Sequence, residues 1–269
     1  MTSGAATILD TIVARRREDV RAAKRAVPFH ELRERVRGAP ATIDFAARLR
    51  MSGAMGVIAE VKRASPSKGD IAPGIDAGEQ AERYAAAGAA AISVLTEPTW
   101  FKGTLEDLSR ARSAVSGMPS RPALLRKDFI IDEYQVVEGR AAGADSILLI
   151  VASLSDGELR GFMELSRAMG MEPLVEVNNA SEMERAVSAG AAVVGVNNRD
   201  LRDFSVDLGT TDRLATMVPE GVLLVALSGI STRADVERFA AAGAGAVLVG
   251  EALMRAEDPG KLIRELIGA

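Results

Sequence analysis

The sequence predicts a (β/α)8 barrel, and three features of the chain beyond residue 55 carry that prediction. Short, β-branched, almost continuously hydrophobic runs alternate with amphipathic stretches rich in Ala, Glu and Arg. That is the texture of parallel strands covered on both faces by helices. Ala-Gly-Ala junctions recur at Gly88, Gly143, Gly190 and Gly243, about fifty residues or two β/α units apart. The first hydrophobic run leads into "KRASPSKGD", whereas a doubly wound open sheet would show a G-x-G-x-x-G turn there.

In chain order, residues 1–50 read as helices, "ILDTIVARRREDVRAAKRA", then "FHELRERV" and "DFAARL". They form an N-terminal helical extension packed on the barrel, so residues 1–269 are expected to make one domain. The eight strands are "GVIAEV", "AAISVLTE", "ALLRKDF", "DSILLIVAS", "EPLVEV", "VVGVNN", "VLLVALS" and "GAVLVG". Between them lie helices such as "DAGEQAERYAAAG" and "DEYQVVEGRAAG". Each repeated glycine is the residue expected just past a helix end, where positive φ is needed. The recurrence fits either an internal duplication or local helix-to-strand loop chemistry, and both give the same element order.

The composition narrows the chemistry. An excess of four acidic residues argues against nucleic acid or an anionic membrane as the main partner. A small anionic ligand at a local positive site is still compatible with it. The absence of cysteine excludes disulfides, thiolate metal sites and a cysteine nucleophile. The single histidine, His30, lies in "VPFHELRERV", far from any strand end, and reads as solvated or capping. A Ser-His triad and a His-rich zinc site are both out, so acid–base work falls to Lys, Glu, Asp or Tyr. The start "MTSGAATILD" lacks a basic region followed by an apolar core. The longest apolar runs, such as "SILLIVAS", are too short to span a bilayer. The expectation is a cytoplasmic protein, a monomer or weak oligomer, that acts on a small molecule.

Active sites of such barrels lie at the C-terminal strand ends, and strand residues two apart face the same way. The first strand ends with Glu60 and Lys62, the third with Lys127 and Phe129, the fifth with Glu176 and Asn178, and the sixth with Asn197 and Arg199. One charged residue at a strand end is commonly a solvated rim residue. Five converging on one mouth are costly to bury unless they pair or bind something. Lys62, Lys127 and Arg199 outnumber Glu60 and Glu176 by one positive charge, which suits an anionic substrate. Close lysines and glutamates also shift one another's pKa values, which supplies acids and bases without histidine. Glu60 and Lys62 are expected to serve proton transfer rather than to neutralise each other.

Strands seven and eight add Ser228 and Gly229 in "ALSGIS", and Gly250 and Glu251 in "LVGEAL". Glycine lets a ligand approach the backbone, and the loops after these two strands are the common phosphate site of the fold. Phe101, Phe129, Leu148, Leu201 and Ile230 fall at strand ends or just beyond, where they could clamp a flat apolar group or simply be core. Together these residues suit a ligand with a phosphate at one end, a second anion and an aromatic portion.

The stretches "EVKRASPSKG", "AISVLTEPTWFKGTLEDL", "LRKDFI", "ADSILLI", "LVEVN", "GVNNRDL", "SGI" and "VLVGEALM" resemble the indole-3-glycerol phosphate synthase family, in the family's order and across residues 8–268. The resemblance implies a barrel that converts 1-(2-carboxyphenylamino)-1-deoxyribulose 5-phosphate into indole-3-glycerol phosphate, carbon dioxide and water without a cofactor. By that likeness Lys127 is the general acid, Glu176 the base or proton shuttle of the dehydration, and Lys62 a second proton-transfer group. Glu60 and Asn178 orient these groups, and Asn197 and Arg199 hold polar parts of the substrate. Ser65 contacts the substrate's carboxylate, while Ser228, Gly229, Gly250 and the backbone of Glu251 bind phosphate. Many members read "AESGI" at strand seven; this chain has Leu227 there, one carboxylate fewer at the mouth. A related phosphate-binding barrel isomerase, or a binding protein that has lost turnover, would be the alternatives.

Overall fold

Eight parallel strands close on themselves and leave no open edge in the computed structural model, which describes residues 7–50, 55–202 and 204–268. They are β1 (Gly56–Val61), β2 (Ala91–Leu95), β3 (Ala123–Lys127), β4 (Ser146–Ile150), β5 (Leu174–Val177), β6 (Val193–Asn197), β7 (Leu223–Leu227) and β8 (Ala246–Val249). Neighbours in sequence pair in space, and β1 closes the ring on both β2 and β8. The run "GVIAEV" coincides with β1, while the other predicted runs overshoot their strands; "DSILLIVAS" leaves β4 at Ile150 and turns through a short 3₁₀ helix, Val151–Ser153.

The period of two sorts the apolar side chains into two cores. Ile58, Leu125, Leu148, Leu174, Val225 and Leu248 point inward and fill the barrel. Their neighbours Val57, Leu124, Leu149, Val175, Leu224 and Val249 point outward and pack with the helices. The interior is tight enough that a Cβ on Gly195 would come within 2.8 Å of Leu227.

Among the described residues three helices precede the barrel: α1 (Ile8–Ala26), α2 (Phe29–Arg37) and α3 (Phe45–Arg50). Phe45 and Leu49 of α3 are fully buried and join the interior cluster, as do Leu9, Ile12 and Val13 of α1. The first six residues of the expected extension lie outside the described residues. His30 is exposed near the start of α2. The remaining helices are α4 (Ala77–Ala86), α5 (Leu105–Val115), α6 (Glu133–Ala141), α7 (Asp156–Ala168), α8 (Ala180–Ser188), α9 (Gly209–Ala215), α10 (Arg233–Ala241), α11 (Glu251–Arg255) and α12 (Pro259–Ile267). Gly88, Gly143, Gly190 and Gly243 follow helix ends with φ of 93°, 96°, 80° and 95° respectively. Their lack of a Cβ is what permits those turns.

A charged network ties α1 to β3. Asp128, just past β3, is fully buried and accepts from Arg126 Nη2 at 2.9 Å, from Arg16 Nη2 of α1 at 2.9 Å and from Thr96 Oγ1 at 2.6 Å. Arg126 also donates to the Gln135 carbonyl and to Glu138 of α6. Burial pushes the Asp128 carboxyl up, but the two guanidiniums and the hydrogen bonds from Thr96 and the Phe129 amide outweigh it and hold it below the ordinary aspartate range.

A group with a depressed folded-state pKa adds stability above its unfolded value, about 3.9 for Asp, and that stability is lost as pH falls through the folded value. Asp128→Asn strands two buried guanidiniums and is expected to cost about 3–5 kcal/mol in urea unfolding at pH 7. It should also flatten the loss of stability below about pH 4. A variant as stable as the parent at pH 7 would show that the network contributes nothing.

Candidate active site

The inward side chains at the C-terminal strand ends surround a cavity of about 390 Å³. Glu60, the fifth residue of β1, is buried at the cavity floor. Lys62 Nζ donates to its Oε1 at 2.7 Å, and Ser93 Oγ of β2 lies 3.5 Å from Oε2. Contrary to the expectation from sequence, Glu60 and Lys62 therefore pair: two residues apart on one face, and shielded from water, they are each other's nearest opposite charge. Burial pushes the Glu60 carboxyl up; attraction to Lys62 and Lys127 and the hydrogen bonds from Lys62 and Ser93 overcome it and hold it below the usual glutamate range.

Lys127 ends β3 and faces Glu176 of β5 across the mouth. Its Nζ lies 3.7 Å from Glu176 Oε2, outside hydrogen-bond distance. Asn197 Nδ2 of β6 fixes the other oxygen, Oε1, at 2.9 Å. Among the described residues Oε2 accepts no hydrogen bond although it is buried. A buried carboxylate oxygen without a partner is unusual and marks a group available to a ligand or a proton. Asn178 holds the backbone next to it, donating to the Asn197 carbonyl at 2.7 Å. Arg199 turns its guanidinium to the Phe204 carbonyl, 2.9 Å away, which brings Phe204 to the cavity wall.

The far end is built from backbone. Ser228 and Gly229, just past β7, both have positive φ, 66° and 81°. A non-glycine residue in this region carries strain of about 1–3 kcal/mol, the kind of expense found at functional sites. Asn198 holds the turn, its side-chain amide donating to the carbonyls of Leu227 and Ser228 at 3.1 and 3.2 Å. Gly250 starts α11 with no side-chain cap. A Cβ there would fall 2.4 Å from Glu60 Oε1 and 3.0 Å from Lys62 Nζ, so glycine is what lets the ion pair sit against this turn.

Ser65, Phe101, Leu201, Ile230 and Glu251 line the same cavity as Glu60, Lys62, Lys127, Asn197, Arg199, Ser228, Gly229 and Gly250. Glu176 and Asn178 line a smaller cavity of about 90 Å³ alongside, which shares Leu201 with the first. Phe129 and Leu148 line neither. Phe129 backs Phe101 with ring centroids 6.0 Å apart, and Leu148 is buried in the barrel interior. Sequence reasoning missed Ser93, Leu95 and Leu248 on the inner face, and Arg255, which pairs with Glu251 from the cavity rim. Ser93 had a signal, a hydroxyl within an apolar run. The loop with Ser65 contains a short antiparallel pair, Ala64–Ser65 with Gly69–Asp70, that the proline and serines there hid. Arg63 anchors it to Asp107 of α5 at 2.5 and 2.7 Å. Among the described residues no three His, Cys, Asp or Glu side chains gather as a metal site requires, and no helix is long and apolar enough to cross a membrane.

Comparison with known proteins gives a consistent likeness. Residues 9–266 match the family model described as indole-3-glycerol phosphate synthase. The chain is 47% identical to an indole-3-glycerol phosphate synthase of Mycolicibacterium vanbaalenii, over 99% of this chain and 96% of that one. It is 53% identical to a multifunctional tryptophan biosynthesis protein of Phycomyces blakesleeanus, over 97% of this chain but 35% of that protein. The chain thus spans about a third of the length of the multifunctional relatives it matches. Among solved structures, a 3-hexulose-6-phosphate synthase shares the fold at a TM-score of 0.59 and 18% identity, over 80% of this chain and 99% of that one.

Gly250→Ala should force Glu60 and Lys62 apart. The expected destabilisation is about 1–3 kcal/mol, read from urea unfolding; an unchanged midpoint would mean that the carboxylate has room to move.

Proposed function

The chain belongs to the indole-3-glycerol phosphate synthase family, and from that premise we propose that its barrel mouth closes the indole ring in tryptophan biosynthesis. The substrate is 1-(2-carboxyphenylamino)-1-deoxyribulose 5-phosphate, and the products are indole-3-glycerol phosphate, carbon dioxide and water. The observation that carries this reading is the Lys127 ammonium 3.7 Å from a buried Glu176 oxygen with no hydrogen-bond partner. An acid and a base side by side, neither committed to the other, are what a reaction of two proton-coupled halves needs.

In the first half the ring carbon bearing the carboxylate attacks the ketose carbonyl, and negative charge grows on the carbonyl oxygen. Lys127 donates a proton to that oxygen. Carbon dioxide leaves, and the electrons of its bond restore the aromatic ring. In the second half the new hydroxyl departs as water while the neighbouring CH₂ gives up a proton. Glu176 receives that proton on its free oxygen, Asn197 holding the other. Lys62, kept at the floor by Glu60, is the second proton donor, for the departing hydroxyl. Phe101, backed by Phe129, and Leu201 flank the aromatic ring. Ser65 meets the carboxylate end, Arg199 holds polar parts of the chain, and the turns at Ser228–Gly229 and Gly250–Glu251 receive the phosphate.

Lys127→Met is expected to lower kcat by about 10²–10⁴-fold or more, with an unchanged far-ultraviolet circular dichroism spectrum. Glu176→Gln should be impaired on a similar scale. Near-normal turnover in either would remove that residue from its role. The protein should not isomerise phosphoribosylanthranilate, the substrate of a related phosphate-binding barrel.

A further inference from the structure

Glu97, two residues past β2, has no part in the acid–base chemistry, yet it is a fully buried carboxylate beside the cavity. Its Oε1 accepts from the Thr99 amide at 2.9 Å, and its Oε2 from the amides of Trp100 at 2.7 Å and Phe101 at 2.9 Å. Its own carbonyl accepts from the Gly103 amide at 2.9 Å. One side chain thus satisfies three consecutive amides, and its backbone closes the turn.

Gly103 admits no side chain, because a Cβ would fall 2.0 Å from the Leu95 carbonyl oxygen. The turn ends with Phe101 on the cavity wall, tilted against Phe129. The following residue, Lys102, has a positive φ of 54° and offers its carbonyl to Arg63, which anchors the loop bearing Ser65.

We propose that Glu97 is a positioning residue for the substrate's aromatic end: its buried carboxylate sets the turn that presents Phe101 to the ring. This rests on the reading of Phe101 as the aromatic wall given above. A carboxylate suits the task because it is acceptor-only at both oxygens. Charge-assisted bonds to amides are about twice as strong as neutral ones. Glutamine at this place has one acceptor oxygen and turns an NH₂ group toward amide donors, so the turn must open. Phe101 contacts the substrate before and during the reaction alike, so loss of its placement weakens binding throughout and appears in KM rather than kcat.

Trp100, the chain's only tryptophan, lies on this turn and reports on it directly. The experiment compares the full chain with Glu97→Gln, Phe101→Leu and the double variant. Acrylamide quenching of Trp100 fluorescence is measured without substrate, and kcat and KM with the carboxyphenylamino substrate.

Glu97→Gln is expected to raise the quenching constant about twofold and KM about tenfold, with kcat within about threefold of the parent. Phe101→Leu should raise KM similarly with parental quenching, and the double variant should be no worse than the poorer single one. Glu97→Asp, which keeps the buried charge, should recover part of the loss, and it is the variant to read if Glu97→Gln does not fold. Unchanged quenching in Glu97→Gln overturns the proposal, as does a parental KM despite altered quenching, or a loss confined to kcat. A parent protein without turnover would instead refute the ring-closure reading, while Trp100 quenching alone would still decide whether Glu97 holds the turn.

Discussion

Three consecutive charges, Arg126, Lys127 and Asp128, meet the constraint on which the site rests: strand side chains alternate in direction. The middle one must enter the mouth if its neighbours go to the other side. Arg126 and Asp128 do so as a pair, 2.9 Å apart, in contact with α6 through Glu138 and with α1 through Arg16. The hydrogen bond that Arg126 donates to Asp128 behind the strand fixes the direction of Lys127 in front of it. The same contacts bind the N-terminal helix to the barrel. A buried ion pair adds little net stability over a well-packed apolar pair. Its value here is that it dictates which side of β3 faces the cavity.

The mouth has the opposite economy. Glu60 is neutralised closely by Lys62, but Lys127 and Glu176 stand a little too far apart to bond. The first pair is therefore a fixed feature of the floor, and in the proposed function the second is left for the substrate to complete. Gly250 and Gly195 make room for this arrangement, one beside Glu60 and the other beside Leu227. With Leu227 rather than a carboxylate at the end of β7, Glu176 and Glu60 are the acidic side chains that the inner strand faces bring to the mouth.

The barrel was legible because strands buried on both faces must be hydrophobic throughout, and the eight runs stand clear of the helices between them. Strand ends were less so: the predicted run took in the polar Thr96 and Glu97, which are buried like the strand before them although β2 stops at Leu95. The period of two also revealed the direction of Lys127, Glu176 and Asn197. It does not reveal depth. Leu148 points inward but is the third residue of β4, below the rim, whereas Lys127 is the last of β3. Phe129 lies past the strand, and its position depends on packing against Phe101 that no local pattern encodes. The Glu60–Lys62 pair and the three amides on Glu97 were hidden for a related reason: each depends on how little water reaches the residues, which only the assembled barrel decides.

The central claim is that this mouth couples ring closure to decarboxylation. Its most direct test is to give the purified chain 1-(2-carboxyphenylamino)-1-deoxyribulose 5-phosphate and follow indole absorbance and released carbon dioxide together. The account predicts equal amounts of both, appearing at the same rate. Carbon dioxide without indole, or binding of the substrate with neither product, would contradict it.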